Sequence, residues 1–193
     1  MAEHKKTSFF YDNSEGNPAE LLIDYFMSWT LRCAIDTKPD NISETLHKSA
    51  KYILHFLLKD YLGDKKVSEY TVVDVEALKQ WKQIDLLCSV QLRIDNDDRW
   101  YVLAFENKMY TKLHDNQLER YEERVNKRYP DTNIKKKFIY LTSHAEVPEE
   151  DEVLCSKSAY TAYPISEIAS HLREKNLHSS GNALFDEFWH NFF

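Results

Sequence analysis

Near Gly63 the spacing of apolar residues changes period, and that change sets the fold class open to this chain. Before it, Leu21, Leu22, Tyr25, Phe26, Trp29 and Cys33 recur at helical intervals after Asn17-Pro18, a pair suited to a helix start. A break follows at Lys38-Pro39-Asp40. A second helix is predicted from Asn41 or Ser43 to near Gly63, carrying Leu46, Ala50, Ile53, Leu54, Leu57 and Leu58. After it, β-branched and aromatic residues predict strands over 67–75, 84–92 and 100–108, with Ile94 to Arg99 as a polar hairpin turn. A helix over 113–129, stopped by Pro130, leads to a fourth strand over 137–142. The acidic stretch 146–152 reads as an exposed loop. Further helices are predicted over 166–175 and 183–192, and residues 1–16 read as a loose polar arm. Three strands in a meander, then a crossover helix to a fourth, imply an α/β fold: a mixed four-stranded sheet flanked by helices, with extra N- and C-terminal helices.

The chain has 193 residues, enough for one domain with a full core. Only three glycines occur, far apart, so no Gly-rich phosphate loop can form. The net charge of −7 argues against a protein that coats nucleic acid by bulk charge, and any such contact needs a local patch. Cys33, Cys88 and Cys155 are odd in number and widely spaced, which fits neither a disulfide framework nor a zinc knuckle. The charged start of the chain lacks the apolar stretch of a signal peptide, and Leu21 to Ile35 is too short and too charged to cross a bilayer. The expectation is a cytoplasmic protein without a membrane segment.

The third strand ends its apolar run, Tyr101 to Phe105, in Glu106-Asn107-Lys108. Alternation puts Glu106 and Lys108 on one face. Asp85 lies in the preceding strand, otherwise apolar, where a lone carboxylate is costly to bury. A hairpin would set Asp85 beside Glu106. Paired carboxylates repel and raise each other's pKa unless a cation joins them. Lys108 supplies part of that charge, and a divalent metal would supply more while acidifying a bound water. Those are the parts needed to hydrolyse a phosphodiester. Acid-x-Lys occurs elsewhere in the chain, as in Asp64/Lys66, so the strand context carries the signal. The plain alternative is an ion-pair cluster that holds two strands together.

Asp85, Glu106-Asn107-Lys108, and then Gln117 and Tyr121 in Gln-Leu-Glu-Arg-Tyr, resemble the PD-(D/E)xK nuclease superfamily, most strongly over about residues 67–142. The residue before the first acid is Ile84 rather than Pro, and many relatives also lack that Pro. The resemblance implies a restriction-endonuclease-like core. It also implies Asp85 and Glu106 as ligands of Mg²⁺ or Mn²⁺, the Asn107 carbonyl as a further ligand, and Lys108 as catalytic. The first core helix of related nucleases often adds an acid. Glu20 is the first choice here and Asp24, one turn on, its rival. The implied activity is that of a metal-dependent endo/deoxyribonuclease on DNA, with RNA still open, and a cut through a duplex is compatible with a homodimer. The alternative is an inactive nuclease-fold module that binds DNA or a protein partner.

Leu113, Gln117, Tyr121, Arg124 and Arg128 share a helix face. Gln117 is expected to reach the site or a phosphate, and Tyr121 to bond a phosphate or stack on a base. Between 108 and 137 nine Lys or Arg outnumber five acids, the only stretch suited to a phosphate backbone. The apolar C-terminal face, Leu184 to Phe193, either closes the core or makes a dimer contact.

Overall fold

The computed structural model describes residues 19–37, 42–109, 113–114 and 116–192. The polar arm therefore lies outside the described residues. Helix α1 (Ala19–Cys33) and helix α2 (Glu44–Leu57) come first. Ser43 caps α2, its hydroxyl accepting from Leu46 N at 3.1 Å. The second helical stretch breaks at Leu58 into a short α3 (Lys59–Leu62), ended by Gly63 in the left-handed region at φ 57°.

Among the described residues the sheet has five strands in the order β1 (Tyr70–Trp81), β2 (Ile84–Ile94), β3 (Asp97–Lys108), β4 (Lys135–Thr142) and β5 (Tyr160–Pro164). The first three are antiparallel, and β3, β4 and β5 run parallel. The four-stranded expectation is thus corrected by one edge strand. Tyr-Thr-Ala-Tyr-Pro is too short to show a period, and its Pro is tolerated at a sheet edge. Residues 67–69 form a 3₁₀ turn rather than strand, and β1 runs on to Trp81. Two-residue turns close both hairpins, with Lys82, Gln83, Asp95 and Asn96 all at positive φ. The expected acidic loop is in part a helix, α5 (Glu149–Ser156). Four acids fill its first turn, where the helix dipole favours them, and Tyr140 donates its hydroxyl to Asp151 at 2.6 Å.

Helix α4 (Gln117–Arg128) makes the crossover from β3 to β4, and α6 (Ile165–Glu174) follows β5. One sheet face packs on α1, α2, α6 and the C-terminal segment. That segment is α7 (Ala183–Asp186) followed by a π-helical stretch, Glu187–Phe192. Phe185, Phe188 and Trp189 are buried there, so this face closes the core. The other sheet face packs on α4 and α5 through Leu118, Tyr121, Val125 and Cys155. All three cysteines are free and buried. No helix among the described residues is long and apolar enough to cross a membrane.

Candidate active site

The β2–β3 register pairs Leu86 with Phe105, which sets Asp85 and Glu106 across from each other at the open end of the hairpin. Asp85 Oδ2 accepts the Asn107 backbone N–H at 2.8 Å. Glu106 and Lys108 share a face, as alternation requires, and Lys108 Nζ stands 2.7 Å from Glu106 Oε1. Helix α4 lies over that face. Gln117 Nε2 donates to Glu106 Oε1 at 2.6 Å and to the Tyr121 hydroxyl at 3.0 Å. Gln117 and Tyr121 are both buried, so they brace Glu106 from inside; the Tyr121 ring is not open for a base to stack on.

Asn107 points the other way, toward α1. Its Nδ2 donates to Asp24 Oδ1 at 2.5 Å. Asp24 is 1% exposed and accepts a second bond, from Gln80 Nε2 at 2.9 Å. Gln80 also donates to Asp85 Oδ1 at 3.2 Å. Of the two α1 acids, Asp24 thus reaches the cluster, while the Glu20 side chain lies outside the described residues. Gln80 was not legible from the sequence. It owes its place to a left-handed backbone, φ 53°, beside the β1–β2 turn, and no local pattern announces that conformation.

The two oxygens of Glu106 differ. Oε1 is bonded to Lys108 and Gln117, whereas Oε2 is buried without a hydrogen-bond partner, as is Asn107 Oδ1. Burial, and next the Asp85 charge, push the Glu106 carboxyl up to about 8, against the opposing pull of Lys108. A bare, buried carboxylate oxygen beside a second carboxylate is the environment that a hard divalent cation relieves. The donor set therefore fits a hard divalent cation. No group of three His, Cys, Asp or Glu among the described residues stands ready to hold a metal alone. Mg²⁺ commonly takes only one or two carboxylates and keeps its waters, so a two-acid site is sufficient.

The basic stretch divides. Arg124 Nη1 bonds Lys82 O and, at 3.2 Å, Gln83 Oε1, beside the site. Lys137 is instead buried, bonded to Asp60 and to Thr161 Oγ1 at 3.0 Å. It sits at the far end of β4 from Thr142, and so it is unavailable to a phosphate.

A family model described as the PD-(D/E)XK nuclease superfamily matches residues 26–190. This chain belongs to that superfamily. Searches among curated proteins and among solved structures give no match. The PD-(D/E)XK match takes in Asp85, Glu106, Lys108, Gln117 and Tyr121 and begins two residues after Asp24. The acid on α1 is thus placed by contact geometry alone.

Proposed function

We propose that this chain is a metal-dependent nuclease that hydrolyses phosphodiester bonds in DNA, working in the cytoplasm from a restriction-endonuclease-like domain. The observation that carries the reading is the buried Glu106 carboxyl, set against Asp85 and held through Oε1 by Lys108 and Gln117. Asp85 and Glu106 would hold Mg²⁺ or Mn²⁺. When bound, the ion supplies positive charge to a phosphoryl oxygen and acidifies the attacking water. Lys108, anchored on Glu106, presents an ammonium that orients that water and steadies charge at the reacting phosphorus. Gln117 fixes the Glu106 rotamer, and Asp24 with Gln80 fixes Asn107 and Asp85. Superfamily membership supports the reaction class, and the paired acids with Lys108 support an intact site.

The test is cleavage of single-stranded, duplex and branched DNA, and of RNA, with Mg²⁺ and with Mn²⁺. Wild-type protein should cut, and Asp85→Asn and Lys108→Ala, each checked for folding, should lose the activity. Cleavage that survives both substitutions would place the chemistry elsewhere. Absence of both cleavage and a metal-induced rise in melting temperature would leave the non-catalytic binding module as the reading.

A further inference from the structure

The tip of the β1–β2 hairpin carries cations that are held on aromatic rings. Lys82 Nζ lies 5.1 Å from the centre of the Trp81 ring, and Arg128 of α4 lies 4.9 Å from the same ring. Arg124 is 5.5 Å from the Tyr121 ring and bonds the Lys82 carbonyl. Lys79, two residues before Trp81, is 4.2 Å from the ring of Tyr25 on α1. Each distance is within cation–π range. None of the four forms an ion pair with a carboxylate among the described residues. The cluster stands next to Asp85, three residues beyond Lys82 in the chain. Lys82, Arg124 and Arg128 gather on the α4 side of the sheet with Trp81, and Lys79 lies on the α1 side, so in a protein of net charge −7 the hairpin tip carries positive charge on both of its faces.

The turn itself is built at a cost. Lys82 and Gln83 hold φ 49° and 73°, positions that hairpins of this length usually give to Asn-Gly. Folding alone would favour the smaller pair, so side chains kept in such a backbone point to a use outside the fold.

We propose that this hairpin tip, with Arg124 and Arg128, is the surface that grips the phosphate backbone of the nucleic-acid substrate; this rests on the nuclease reading above. The Trp81 and Tyr25 rings already serve the cations, which pre-orders the ammonium and guanidinium groups. The contacts are therefore charge on phosphate and carry no base sequence.

The test is binding in EDTA to labelled single-stranded and duplex oligonucleotides of two unrelated sequences across a salt series, with melting curves as the folding control. Wild type should bind with log affinity falling linearly in log salt. Lys82→Ala/Arg128→Ala should flatten that slope by about 1 to 2 and weaken both sequences alike. Lys82→Arg/Arg128→Lys should restore the slope. Replacing Lys82-Gln83 by Asn-Gly should raise the melting temperature while lowering affinity. An unchanged slope in the double alanine variant of a protein that binds, or a loss confined to one sequence, overturns the inference and leaves the nuclease reading standing. A wild type that neither binds in EDTA nor cuts with metal overturns both.

Discussion

Glu106 is held through one oxygen by Lys108 and Gln117 and set against the Asp85 carboxylate, so two substitutions probe its bracing and its charge separately. Gln117→Ala removes the amide that fixes the rotamer. It should weaken metal affinity or activity by about 10- to 100-fold, the usual cost of losing a partner of a ligand, read from a metal titration of cleavage. Glu106→Gln removes the charge. With its carboxyl raised to about 8, Glu106 stays protonated in the folded protein over pH values where the unfolded chain has released that proton. The metal-free fold then binds more protons than the unfolded chain, and stability falls as pH rises from about 4.5 to about 8. Melting curves in EDTA should show this fall for wild type, and Glu106→Gln should abolish it. Asp85, Glu106 and Lys108 were readable in the sequence because strand alternation fixes their faces. Gln80 was hidden because one positive φ undoes that alternation.

Among the elements, α5 replaces the expected loop and is tied to the sheet by a buried polar contact. Tyr140 donates to Asp151 across the sheet–helix boundary, and both residues are buried. Asp151→Ala should cost about 1–3 kcal/mol by leaving the tyrosine hydroxyl unpaired, measured by urea denaturation. This helix is not announced locally, because its four leading acids resemble a solvated loop and the side chain that turns inward is itself an acid. Strand β5 was hidden for a different reason: it pairs with β4, Phe138 opposite Tyr160, and parallel pairing leaves no local turn to betray it. The meander and crossover helix were legible because their periods are long and their turns are polar and local.

At the scale of the molecule, the layer containing α2, α6 and the C-terminal segment carries three half-buried histidines. His55, His171 and His190 are each lowered below the ordinary range, first by burial. His171 also lies against Phe56, 5.1 Å between ring centres. Each is bound by fewer protons when folded than when unfolded, so stability drops as pH falls below 6.5. This limb opposes that of Glu106. The Glu106→Gln variant should therefore show the acid loss alone, a melting temperature that declines from pH 7 to pH 5.

The mixed sheet has a consequence for the order in which its parts come together. The acid pair rests on one hairpin, with Asp85 bonding Asn107 only 22 residues away, whereas Asp24 reaches Asn107 across 83. Trp189 Nε1 donates to Thr30 across 159 residues, near the far limit of this chain. Short loops close faster than long ones, so the meander has the low contact order and the α1 layer the high one. On that basis the site is expected to assemble in two instalments: a charged hairpin first, and its second supporting layer, Asp24 included, once Trp189 has locked α1 down and the two ends of the fold have found each other.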